Sequence, residues 1–320
     1  MNRKKLYFLL ILTVVFWGSS FAAVKLGAGK LSPVHFTFLR VTFASAIFSV
    51  ILTGVSSEKK RIDKKDIPTI IYLGFMGIGG YFIVQYTALK YTTSVNASLL
   101  LGITPILLAL HSCLVLEEKL EGLKIAGIAI CFVGITLVIT KGDISSFSFG
   151  KTIIGDALMI LNAVMLAAFS LGAKKVLEKY DPFIIVAYIN IAAMGMLVPV
   201  VFTSNFLSGA SLIDNMEYID IRAVLAALYL AGTCTVIGYY SWYSAIKEIG
   251  PVRTSVFNYI NPFVASIASF AMFDEGITVF TVIGGISIIG GVALSSMGRS
   301  KSKIRHNVHI RGRVKTDESA

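Results

Sequence analysis

The sequence predicts an all-α integral membrane protein of ten transmembrane helices, arranged as two inverted five-helix repeats. Near-continuous apolar runs, a one-sided distribution of Lys and Arg, and an internal repeat carry that prediction. Hydrophobic residues make up 55% of the 320-residue chain and charged residues 15%, against about 25% charged in an ordinary soluble domain. Mean hydropathy is +0.78. Apolar spans lie near Leu6–Val24, Phe36–Thr53, Pro68–Leu89, Thr93–Leu116, Leu123–Thr140, Thr152–Ala173, Phe183–Thr203, Ala223–Ile246, Val252–Phe273 and Ile277–Met297. Most hold the roughly 20 apolar residues that cross ~30 Å of hydrocarbon as a helix.

The first span follows Arg3-Lys4-Lys5. It outruns the ~7–15 residue apolar core of a signal peptide, so it reads as an uncleaved helix. The second carries Arg40, and the third carries Tyr81 and Gln85 one turn apart. Pro105 and Pro262 fall near the middles of the fourth and ninth spans. A proline there removes a backbone hydrogen bond and frees the carbonyl four residues earlier, that of Leu101 or Asn258. In lipid, such a kink is tolerated where protein or a water-filled cavity satisfies the freed group. The fifth and tenth spans repeat glycine every seven residues, at Gly127 and Gly134 and at Gly284 and Gly291. Small faces of this kind let helices approach closely, and here they are expected to seal the bundle or to join two copies as a homodimer. The sixth span opens with Asp156 and contains Asn162; the eighth presents Tyr239, Trp242 and Tyr243 at helical spacing.

With the N-terminus in the cytoplasm, 22 of the 29 Lys and Arg fall at the inner ends of the spans. Six fall outside (Lys25, Lys30, Lys90, Lys141, Lys151 and Arg222), and Arg40 lies within the second span. Basic residues stay on the untranslocated side, so both termini are expected in the cytoplasm of a plasma-membrane protein. The net charge of +11 concentrates in the tail from Arg299 to Lys315. Beside the last span this reads as a disordered topogenic segment facing an anionic leaflet, and no nucleic-acid partner is expected. Cys113, Cys131 and Cys234 sit inside apolar spans at unrelated spacing and read as small core residues. No metal site or cofactor is expected.

Shifting the chain by 157 positions aligns residues 86–137 with 243–294 without a gap, and twelve of the 52 pairs are identical. Tyr86/Tyr243, Lys90/Lys247, Pro105/Pro262, Glu118/Glu275, Gly127/Gly284 and Gly134/Gly291 are among them. Two halves follow, 1–145 and 146–298, with the tail 299–320 beyond. Five helices per half make the second half enter the membrane from the opposite side. The charges agree: Lys59–Lys65 is basic, whereas its counterpart Thr203–Arg222 holds one Arg and three acids. Inverted repeats around a midplane substrate site are a recurring transporter architecture.

Trp17-Gly18-Ser19-Ser20-Phe21, Phe38-Leu39-Arg40, Pro105 with Glu117-Glu118, Gly155-Asp156, and Pro262 with Asp274-Glu275 follow one another along the chain. In that order, with the repeat, the chain resembles the EamA type of the drug/metabolite transporter superfamily over residues 6–297. The resemblance implies a ten-helix bundle around a central cavity. It also implies transport of small metabolites, often amino acids or related compounds. Leu166-Ala167 stands where the second half faces Trp17-Gly18, so the two half-sites are expected to differ chemically.

Trp17, Ser20, Tyr81, Gln85, Thr104, Asn162, Tyr239, Asn258 and Asn261 are the substrate-binding candidates. Asn258 and Asn261 lie three apart on one helical face just before Pro262, beside the expected midplane kink. Amides there also bind helices together, at about 0.6–2 kcal/mol each. Trp242 and Tyr243, nearer the cytoplasmic end, read as interfacial belt residues. Ionisable residues within a membrane are functional suspects. Arg40 and Asp156, close to the outer surface, are the coupling candidates, expected to pair with each other, to meet a substrate carboxylate, or to serve structure. His35 is expected in an outer loop, and His111 as a core histidine. Glu117-Glu118 and Asp274-Glu275 terminate helices. No carboxylate sits at the bilayer centre.

The reading is therefore a secondary transporter, an exporter of small metabolites, working by alternating access on a small-molecule substrate within the lipid bilayer. A channel-like facilitator is the nearer alternative. A membrane-embedded enzyme is remote, because no paired intramembrane acids, His-rich cluster or Ser–His set assembles. No Gly-x-x-x-x-Gly-Lys-Ser/Thr loop provides for ATP.

Overall fold

The computed structural model describes residues 3–29, 31–115, 122–140, 151–208, 219–249, 254, 256–273 and 278–297. Glu117-Glu118, Asp274-Glu275 and the basic tail 299–320 lie outside the described residues. The described elements are helices, with no strand among them. Helix is the expected result for a chain in lipid, where every backbone N–H and C=O must be satisfied within the segment.

α1 (Arg3–Ala28) and α2 (Pro33–Thr53) are predominantly apolar, with hydrophobic residues on every side. On α1, Leu10, Val14 and Phe21 are buried while Phe8, Ile11 and Val15 are exposed. One apolar face packs and the other meets lipid. α2 starts where Ser32 accepts from the His35 amide and Pro33 occupies the first turn, a pre-organised helix start. His35 therefore belongs to α2 and not to a loop. Its ring bonds Ser32 Oγ at 2.6 Å and Asn205 Oδ1 at 2.9 Å.

α3 (Ile67–Gly74) runs through a π-helical segment, Phe75–Gly79, into α4 (Gly80–Ala88). α5 (Ser94–Leu101) and α6 (Thr104–Val115) occupy the fourth span, and α7 (Gly122–Thr140) the fifth. α8 (Lys151–Leu177) and α9 (Pro182–Ser208) follow. A second π-helical segment, Leu230–Ile237, joins α10 (Ile221–Tyr229) to α11 (Gly238–Ile249). A 3-10 turn, Val256–Ile260, precedes α12 (Asn261–Phe273), and α13 (Val279–Met297) is the last helix.

The expected proline kinks are breaks instead. Pro105 and Pro262 are the second residues of α6 and α12, in a first turn whose N–H groups need no intrahelical partner. The Leu101 carbonyl, expected to be free, accepts from Thr104 Oγ1 at 2.7 Å. The glycine faces of α7 and α13 pack against one another. A Cβ on Gly134 would lie 2.7 Å from the Gly284 carbonyl oxygen, and one on Gly291 would lie 2.5 Å from that of Gly127. These glycine faces therefore meet each other within the chain.

Among the described residues, six helices are long and apolar enough to cross a membrane: Lys4–Ala28, Pro33–Thr53, Lys64–Ala88, Thr152–Leu177, Pro182–Phe206 and Ile221–Ile249. Four shorter apolar helices accompany them, Ser94–Leu108, Ile125–Gly134, Asn261–Phe273 and Val279–Gly291. The chain is a multi-pass membrane protein. At the end carrying Lys59–Lys65, polar contacts join the start of α3 to the α8–α9 connection. Asp66 accepts from Tyr180 Oη at 2.7 Å and pairs with Lys179 at 3.1 Å. Tyr188 Oη donates to the Lys60 carbonyl at 3.0 Å, and Lys247 Nζ donates to that of Tyr180 at 3.2 Å. The Asp66 carboxylate holds the Lys179 ammonium above its usual range.

Candidate functional site

The broken fourth and ninth spans meet α1, α2, α4, α8 and α11 around one cavity. It has about 440 Å³ of space free of atoms, its mouth included. Trp17, Ser20 and Phe21 from α1, Arg40 from α2, and Tyr81, Phe82 and Gln85 from α4 line it. Leu101, Leu166, Tyr239, Asn258 and Asn261 complete the wall. Seven substrate candidates thus converge with Arg40, from helices far apart in sequence. Thr104 and Asn162 do not line it. Thr104 closes the helix break, and Asn162 Nδ2 donates to the Tyr81 carbonyl at 2.8 Å, holding α4 from behind.

The π-helical turns explain how two aromatic walls are held. An i→i+5 turn departs from the α ladder and re-aims backbone carbonyls, often at functional sites. The Cys234 carbonyl accepts from Trp17 Nε1 at 2.9 Å, and the Gly77 carbonyl accepts from Tyr239 Oη at 2.7 Å. Gly77 and Cys234 lie 157 positions apart, at the same register of the two π segments. The Trp17 ring lies 5.6 Å from that of Tyr239, tilted 62°, and 4.9 Å from that of Trp242. An edge-to-face pair such as Trp17–Tyr239 adds about 0.5–1.5 kcal/mol to burial alone.

Trp242 and Tyr243, expected in an interfacial belt, are instead 2% and 0% exposed. They back the cavity wall because α11 presents this face to α1 and α8 and not to the headgroups. Gln85 Nε2 reaches Tyr81 Oη at 3.3 Å, and Asn261 Nδ2 reaches Asn258 Oδ1 at 3.3 Å.

Arg40 is buried. Its Nε and Nη2 donate to Thr235 Oγ1 at 3.1 and 3.0 Å, and its Nη1 donates to Tyr86 Oη at 2.5 Å. Its guanidinium carbon lies 3.7 Å from the centre of the Phe82 ring, a cation–π geometry. Asp156 of α8, also buried, accepts from Thr92 Oγ1 at 2.5 Å. The expected Arg40–Asp156 pair is not made. Both lie at similar depth by sequence, but Arg40 turns toward α4 and the second π segment, whereas Asp156 faces the turn after α4. Thr235 and Phe82 were not singled out in the sequence. Tyr86 was visible only as one of the identities in the repeat.

Broken membrane helices around a cavity recur among transporters. The chain belongs to the EamA-like transporter family, whose model matches residues 4–140 and again residues 153–297. An uncharacterized transporter of Archaeoglobus fulgidus is 31% identical over 297 residues, 92% of this chain and 98% of the relative. The uncharacterized transporter YyaM of Bacillus subtilis is also 31% identical, over 92% of this chain and 95% of its own. A probable terminal-alkyne amino-acid exporter of Streptantibioticus cattleyicolor is 23% identical, over 92% and 94%. A solved crystal structure matches with a TM-score of 0.65 at 18% identity, covering 92% of this chain and 98% of that one. At that identity the likeness shows the fold.

Proposed function

We propose that the chain is a secondary exporter of small metabolites such as amino acids or related compounds. It works by alternating access around the cavity between two inverted five-helix repeats, 1–145 and 146–298. The convergence of Trp17, Tyr81, Gln85, Tyr239, Asn258 and Asn261 on one cavity beside two broken helices carries this reading. The repeat has several supports. The family model matches once in each half. α7 and α13 each have 19 residues, starting 157 positions apart. Pro33 and Pro182, 149 positions apart, open α2 and α9. Asn190 Nδ2 reaches the carbonyl of Val41, also 149 positions away, at 3.3 Å. Such contacts between facing positions are those expected along a pseudo-two-fold axis. The exporter names of distant relatives support the direction and the cargo class.

The decisive experiment is counterflow in proteoliposomes holding the purified chain. Preloading with unlabelled amino acids should accelerate entry of a labelled amino-acid mixture. Equal rates with and without preloading identify a channel-like facilitator instead.

In the membrane, both termini and the loop carrying Lys59–Lys65 are cytoplasmic, so the Asp66–Lys179–Tyr180 contacts close the cytoplasmic end. A cysteine placed at Ser211, outside the described residues, should be labelled from the outer face, and one placed at Ser57 should not. The reverse pattern inverts the assignment.

Asp156 is the proposed coupling group, being the buried carboxylate among the described residues. Asp156→Asn should remove any dependence on a pH gradient while leaving exchange at equal pH near the wild-type rate. Proton-driven transport at full rate in that variant would make Asp156 structural.

A further inference from the structure

Arg40 brings a full charge into the membrane-embedded cavity wall, and its described surroundings do not neutralise it. Thr235 and Tyr86 are neutral acceptors, and Phe82 offers only a ring face. No described carboxylate pairs with it. A guanidinium has five N–H donors. Three contacts are made, and the Thr235 oxygen takes two of them. Thr235 in turn passes its own proton to the Leu230 carbonyl at 3.2 Å, which leaves its oxygen free to accept from Arg40. The cation is held rigidly and its donors are only partly used.

Arg40 has no counterpart in the other half. Ile189 stands at the position facing Arg40, 149 residues on, and Tyr243 at the position facing Tyr86, 157 residues on. Tyr243 Oη is buried without a hydrogen-bond partner among the described residues. A structural clamp required by the fold would be expected in both halves. Across the cavity wall, Asn261 is 3% exposed. Its Nδ2 is bound to Asn258, and among the described residues its Oδ1 has no partner. A buried acceptor left unpaired is costly, and a ligand donor would satisfy it. Trp17, Tyr81, Phe82 and Tyr239 supply flat apolar walls beside both groups.

We infer that the cavity selects amphipathic substrates that place a carboxylate on Arg40 and a hydrogen-bond donor on Asn261 Oδ1, and that it rejects amphipathic cations. The inference rests on this cavity being the substrate site. A planar guanidinium with unused N–H groups matches a carboxylate in geometry as well as charge. A cationic ligand would meet Arg40 with no described carboxylate beside it.

The test uses the purified full-length chain and matched acid, amide and amine probes. These are phenylalanine, phenylalaninamide and phenethylamine; tryptophan, tryptophanamide and tryptamine; and leucine, leucinamide and isoamylamine. Thermal shift and competition binding should show the acid of at least one series binding about tenfold or more tighter than its amide and amine. Arg40→Gln should abolish that preference. Arg40→Lys, which keeps the charge but loses the planar fork, should retain a weaker one, and it stands in if Arg40→Gln does not fold. Absence of acid preference in all three series overturns the inference, as does an undiminished preference in Arg40→Gln. Amines that bind best and undergo counterflow would sink the inference and leave the transporter reading standing. Acids that bind through Arg40 but show no counterflow would do the opposite.

Discussion

Replacing Gly291 with leucine is expected to eliminate correctly folded protein, and even alanine there should lower the thermal midpoint markedly. A Cβ at this position would lie 2.5 Å from the Gly127 carbonyl oxygen, 2.6 Å from Cys131 Sγ and 2.8 Å from the Cys131 amide nitrogen. Two of those three atoms are backbone, so no rotamer change relieves the clash and α7 and α13 must separate. In lipid there is no hydrophobic drive to hold them together, and association depends on close van der Waals packing. Overpacking of this kind costs about 1–3 kcal/mol for a methyl group, and more for leucine. Gly195→Ala is the control. It lies within α9 with nothing within 4 Å of its Cβ, so the change should be neutral or stabilising by up to about 1 kcal/mol. Detergent thermal unfolding and size-exclusion profiles of the variants decide the matter. Equal behaviour of Gly291→Ala and Gly195→Ala would refute the packing argument.

Trp17→Ala is expected to abolish substrate exchange. The indole forms one wall of the cavity, packs on Tyr239 and Trp242, and donates to the Cys234 carbonyl in the second π segment. Truncation removes the wall and leaves that carbonyl without the donor, which costs about 1–3 kcal/mol for a buried group. A large-to-small change at a packed aromatic adds about 3–5 kcal/mol. Trp17→Phe keeps an aromatic ring at this position while losing the N–H and part of the indole's bulk. It should retain partial counterflow with a lowered thermal midpoint. Wild-type exchange in Trp17→Ala would remove Trp17 from the site.

Much of the site was legible because helical periodicity fixes which residues share a face. Tyr81 with Gln85, and Asn258 with Asn261, sit three or four apart and point the same way whatever their neighbours do. The breaks at Pro105 and Pro262 were less legible. A proline within an apolar run reads as a kink, yet Thr104 and Asn261 stand immediately before the two prolines. A small polar residue followed by proline is a helix-start signal, and the structure uses both positions to begin a helix. The π segments left no comparable sign, since an i→i+5 turn depends on what its carbonyls and side chains meet across the bundle.

By itself, then, the sequence determined that the chain lives in a membrane, where its apolar segments lie, and which residues occupy similar depth. Those are one-dimensional properties, set by hydropathy and by the distribution of charge along the chain. Only the tertiary structure decided azimuth. It turned Arg40 toward Tyr86, Thr235 and Phe82 and away from Asp156, it buried Trp242 and Tyr243 behind the cavity wall, and it used the glycine faces of α7 and α13 against each other. In a membrane helix with apolar residues on every side, no hydrophobic face tells which way the helix turns. That choice rests on packing between helices distant in sequence.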